Sequence, residues 1–139
     1  MLVVDSNVVI SSLLKGGVPY KAFLLNFMLE RHELIAPEFL WIEVERHKDE
    51  LMAETAFTGG EYKFLFDLLR EEIYIIPSAQ FIGLLPKARE LLPDHTKDAP
   101  FIALALKFNS PIFSGDKRLK QQSEVRIMSP REVLDELLK

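Results

Sequence analysis

At 139 residues with 48% hydrophobic composition, the chain has material for one buried core and none for a second, so residues 1–139 are read as a single domain. It contains no cysteine, which excludes disulfides, thiolate zinc centres and cysteine nucleophiles and suits a cytoplasmic location. The net charge of −4 argues against a protein that grips nucleic acid through a broad basic surface, but not against an enzyme that reaches phosphates through bound cations.

The chain opens on MLVVD, a short continuous apolar run of the kind expected of a strand buried on both faces. No basic stretch precedes it and Asp5 interrupts it early, so a signal peptide is not expected. SNVVISSLL predicts a short helix that opens at Ser6 or Asn7 and stops near Gly16 and Gly17. VPYKAFLLNFMLERH, residues 18–32, predicts a second helix with basic residues at its carboxyl end. ELIAP is a second strand, and PEFLWIEVERHKDELM one long helix with Pro37 as its starter.

Thr58 and Glu61 form a capping box in front of EYKFLFDLLREE, after which IYIIP is a third strand. The longest uncharged stretch, IYIIPSAQFIGLLP, is broken by proline and glutamine and falls short of the roughly 20 apolar residues that span a bilayer. A helical segment around PKARELL leads to Pro93. KDAPFIALALKF puts Pro100 in the first turn of an apolar helix, with Asp98 at or near its amino-terminal cap. PIFS is the fourth strand, GDKRLKQQ a turn with a short helix, and VRIM the fifth strand; Ser129 and Glu132 then open the last helix with a second capping box. Phe23, Phe27, Phe64, Phe66, Phe101 and Phe108 lie in apolar helical patterns and are expected in the core.

Alternating strands and helices predict an α/β fold, a three-layer α/β/α sandwich around a central parallel sheet of about five strands. Such sheets bind ligands beyond the carboxyl ends of their strands, where strand order reverses. Asp5 ends the first strand, and Asp116 follows the fourth after a Ser114–Gly115 turn. Asp98 opens the helix that leads into the fourth strand, so it faces the same rim. Glu43 lies about one and a half turns into the helix after the second strand.

Singly, these acids read as loop residues, a helix cap and an exposed helical acid. Together they form a like-charge cluster, which requires raised pKa values or a bound cation. Carboxylates without cysteine or convergent histidines favour a hard, oxygen-seeking ion, Mg²⁺ or Mn²⁺, and with it phosphodiester hydrolysis. Glu38 and Glu45 flank Glu43, but helix geometry turns Glu45 elsewhere and leaves Glu38 in the first turn.

VVDSNVVISSLL, the acid in PEFLWIEVERHK, KDAPFIALAL and FSGDKRL resemble, in order and spacing, the four acidic blocks of PIN-domain nucleases, and most closely those of small stand-alone archaeal and bacterial members. The resemblance spans the chain from Leu2 to the last helix. It implies a metal-dependent endoribonuclease in which Asp5, Glu43, Asp98 and Asp116 are the catalytic, metal-binding acids and Asn7 and Ser114 are small polar supports. It also implies an RNA substrate, kinship with the toxins of toxin–antitoxin pairs, an antitoxin partner and a homodimer.

Lys117 and Arg118, next to Asp116, can meet RNA phosphates or simply form a solvated basic face. The apolar helices after Pro19 and Pro100 offer a dimer face, although a monomer core accounts for much of the same pattern. An aspartyl-phosphate phosphatase would need a second acid where Asn7 stands, and a phosphoacceptor domain an aspartate after IYIIP. The alternative of a different class is a non-catalytic binding module with the same fold.

Overall fold

The computed structural model describes residues 1–139. Five strands, β1 (Leu2–Val4), β2 (Leu34–Pro37), β3 (Ile73–Ile76), β4 (Ile112–Phe113) and β5 (Ile127–Met128), alternate with eight helices. These are α1 (Ser6–Lys15), α2 (Gly17–Leu29), α3 (Phe39–Arg46), α4 (Lys48–Glu54), α5 (Gly59–Glu72), α6 (Leu85–Leu91), α7 (Ala99–Phe108) and α8 (Pro130–Leu137). The sheet is entirely parallel in the order β3-β2-β1-β4-β5, as the alternation of elements predicts. From β1 the chain steps outward through β2 to β3, then returns to lay β4 against the other side of β1. Strand order therefore reverses between β1 and β4, and Asp5 and Asp116 lie just beyond the carboxyl ends of those two strands.

Every residue of β1 is buried, as a central parallel strand requires. On one face α7 crosses β1, β2 and β4 and is backed by α6; elsewhere α2 packs on α1 and α8, and Phe23 of α2 meets Phe113 of β4 at 5.0 Å between ring centroids. Phe101 to Ala105 of α7 are all buried in this chain's own core. At roughly 1.5–3 kcal/mol for each large side chain so buried, α7 is the main anchor of the site that begins at its amino end. No single helix is long and apolar enough to cross a membrane.

Three local expectations need correction. The long helix drawn over residues 37–52 is two helices, α3 and α4, and Pro37 closes β2 rather than opening the helix. The break has a cause: the His47 ring Nδ1 donates to the Glu43 carbonyl at 2.9 Å, so the His47 backbone N–H turns to Val44 at 3.0 Å and the helical ladder ends. Phe64 is 67% exposed, because the buried stripe of α5 runs through Leu65 and Leu69 and leaves position 64 outside.

The third concerns α2, which ends at Leu29, so Arg31 and His32 lie beyond it and its last turn carries no basic residue; α1 stops at Lys15 as expected and meets α2 at a bend of 104°. Gly16 makes it at φ +71°, where a Cβ would also lie 3.2 Å from the Phe57 ring. Both capping boxes form as predicted, Thr58 with Glu61 and Ser129 with Glu132.

Candidate active site

β1 delivers Asp5 to the rim by ending one residue earlier than MLVVD suggests. The Asp5 N–H still bonds Phe113 of β4 at 3.1 Å, and the residue takes the amino-cap position of α1. Its side chain does not cap that helix. Instead one carboxylate oxygen accepts a 2.7 Å hydrogen bond from Ser114 Oγ, and the residue is only 5% exposed.

Ser114 is itself buried at the end of β4 and ties three residues together. Its hydroxyl donates to Asp5, accepts from the Asp116 N–H at 3.0 Å, and lies 3.4 Å from Asn7 Oδ1. One hydroxyl proton serves one acceptor well, and the shorter bond to Asp5 prevails. Asn7 Oδ1 in turn accepts from the Gly115 N–H at 3.3 Å, so Asn7 and Ser114 together hold the turn that presents Asp116.

Glu43, half-buried on α3, reaches across to α1, where Ser6 Oγ donates to its Oε1 at 2.6 Å. Glu38 is exposed and Glu45 pairs loosely with Lys48 at 3.8 Å, so Glu43 is the acid of this helix that joins the group. Ser6, which the sequence marks only as a helix opener, thus supports an acid of the site. The signal that could have found it is the run Asp5-Ser6-Asn7, in which each side chain engages a different part of the rim.

Asp98 does not behave as a cap, although it stands at the cap position of α7. Its backbone is helical (φ −84°, ψ −4°) rather than extended, and Pro100 supplies no N–H at the second helical position, where a cap would find one of its donors. The residue is 8% exposed, and its buried Oδ2 has no hydrogen-bond partner. A carboxylate oxygen taken from water without compensation is costly to leave so.

Asp116, in contrast, is fully engaged. Oδ1 accepts from the backbone N–H and Nε of Arg118, both at 3.0 Å, and Oδ2 accepts from Nη2 at 2.6 Å. Lys117 is exposed, and Lys120 is drawn away to Glu132 at 3.6 Å. Of the basic run after Asp116, it is therefore Arg118 that turns to the acids.

The electrostatics bind the four acids into one group. Burial first, and then the charges of Asp98, Glu43 and Asp116, push the Asp5 carboxyl up from 3.8 to about 7, against the lowering effect of its bond from Ser114. Burial also raises Asp98, reinforced by Asp116 and Glu43 and opposed by Arg118 and Lys97. The Arg118 hydrogen bonds hold Asp116 below its ordinary value.

No three of these carboxylates stand together as a closed ligand set. The donors nevertheless fit a hard divalent ion: they are all oxygens, two are buried, and one buried oxygen lacks any partner.

A five-stranded parallel sheet with acids at its topological switch point puts the chain in the class of three-layer α/β/α folds that bind their ligands at that rim. The match is direct at the level of family: the PIN domain model covers residues 3–138, and the chain belongs to the PIN-domain family. No curated protein matches the chain.

Proposed function

We propose that this PIN domain is an endoribonuclease that hydrolyses RNA phosphodiester bonds with Mg²⁺ or Mn²⁺ held by Asp5, Glu43, Asp98 and Asp116. The observation that carries the reading is Asp98, an acid at a helix start that caps nothing and keeps a buried oxygen without a partner inside the field of the Asp116 and Glu43 carboxylates. Family membership supports it, since PIN domains generally use divalent ions in nuclease chemistry.

A bound ion would lower the pKa of a water and neutralise charge developing on the phosphate. The chain's own residues prepare for this. Ser6 holds one oxygen of Glu43, Ser114 orients Asp5, and Asn7 steadies the turn before Asp116. With a net charge of −4, nonspecific RNA would be held weakly and salt-sensitively, so selectivity would come from RNA shape or from a partner. Kinship with toxin-type members extends the proposal to a small antitoxin that controls the site, and to a homodimer.

One observation favours the second reading, a catalytically silent binding module: Arg118 already neutralises Asp116. Calorimetric titration of Mn²⁺ and Mg²⁺ into wild type and Asp98→Asn, with cleavage of a mixed single-stranded RNA pool by the same samples, separates the two. Metal binding and cleavage that vanish together in the variant support the enzyme. A wild type that binds no metal at millimolar concentration and cuts nothing gives the silent module the lead.

A further inference from the structure

Arg118 is the cation in direct contact with the acid group. Its guanidinium grips both oxygens of Asp116, and its charge also acts on Asp98 and Asp5. With both Asp116 oxygens so occupied, a divalent ion has to compete with Arg118 for them. Yet the contact is built to open. The Arg118 side chain is 50% exposed against 17% for Asp116, and its partner lies only two positions away, so the arm can swing into solvent without disturbing the core. An ion pair this open to water is weakly held, whereas a divalent ion between several carboxylates is held by all of them.

We propose that Arg118 is the resident counter-ion of the site, a positioning residue that holds Asp116 in the metal-free protein, yields it to a divalent cation, and then offers its freed guanidinium to an RNA phosphate. This rests on the metal-dependent reading above. It assigns different roles to neighbours in the basic run: Lys120 faces Glu132, away from the acids, while Arg118 lies against them and carries the planar fork that matches a phosphate as it matches Asp116. Metal and RNA then help each other, because each favours the state in which the arm is released.

The test uses full-length wild type, Arg118→Gln and Arg118→Lys, with Mn²⁺ titrated calorimetrically and a non-cleavable 2′-O-methyl oligonucleotide as the RNA probe. Arg118→Gln should bind Mn²⁺ about three- to fivefold more tightly than wild type, with Arg118→Lys between them. Mn²⁺ should strengthen oligonucleotide binding in wild type about threefold more than in Arg118→Gln. Melting in chelator checks the folded state, and Arg118→Gln should melt below wild type there and gain more on adding Mn²⁺. Mn²⁺ affinity equal to or weaker than wild type in Arg118→Gln overturns the counter-ion role while leaving the metal site standing. Equal enhancement of oligonucleotide binding overturns the phosphate role. Absence of Mn²⁺ binding in every protein overturns the metal-dependent reading, and this inference with it.

Discussion

At the starts of α5 and α8 an acid completes the helix, whereas at the starts of α1 and α7 it does not. Glu61 and Glu132 close reciprocal capping boxes with Thr58 and Ser129, and those hydrogen bonds hold both carboxyls below their ordinary values. Asp5 and Asp98 occupy cap positions, make no cap bond, are buried, and are pushed upward. All four are acids at helix starts, Glu61 and Glu132 at the third helical residue and Asp5 and Asp98 at the cap itself. Their surroundings differ as well: a local backbone donor in one case, and other carboxylates at a sheet edge in the other. The first acids serve the fold. The second are tolerated by it, and a group kept at a cost to stability points to use elsewhere.

The sharpest way to break this comparison is Asp98→Asn. Metal-dependent RNA cleavage should fall by about 10³-fold, the scale of losing charge stabilisation at the reacting phosphate, while the metal-free protein keeps or gains thermal stability. An Asp98→Asn protein that melts well below wild type would make Asp98 structural after all.

Next in size is the pH dependence of metal-free stability. Asp5 in the folded chain holds its proton up to about pH 7, whereas the unfolded chain loses it near 3.8. Its contribution to stability is therefore fully present below about pH 4 and is lost as pH rises through 7, a change on the order of 4 kcal/mol. Asp116 runs the other way, contributing above its unfolded value and losing it only in stronger acid, so the two windows do not overlap. Chemical denaturation in chelator from pH 5 to 8 should show wild-type stability falling and a flatter curve for Asp5→Asn. A wild-type curve that is level over this range would remove the distinction between the two kinds of acid.

Ser6→Ala deletes the 2.6 Å bond to Glu43 without touching any acid. Mn²⁺ affinity measured by calorimetry should drop roughly tenfold, as for other groups that orient a metal ligand. Smallest of all, Ser129→Ala should lower stability by about 1 kcal/mol through its lost cap and leave Mn²⁺ affinity and cleavage at the wild-type level. Loss of activity in that variant would mean that the two kinds of helix start are coupled.

Much of this molecule was determined by short-range physics and could be read along the chain. Apolar runs such as LVV and LIAP specify buried parallel strands, Thr58 and Ser129 announce their helices through residues three positions on, and alternation of strand with helix dictates the parallel sheet and its ligand-binding rim. Asp5, Asp98 and Asp116 were legible because each sits at an element end that the topology brings to that rim, and Glu43 because helix spacing sets it apart from Glu38 and Glu45. What no local pattern carried is how the side chains spend their bonds once they arrive. That Ser6 serves Glu43 across 37 positions and Ser114 serves Asp5 across 109 depends on which strands become neighbours. The split of the long helix at His47, the exposure of Phe64 and the embrace of Asp116 by Arg118 were likewise decided only in three dimensions. There, competition among donors, acceptors and burial is settled by proximity, while the sequence alone records only separation along the chain.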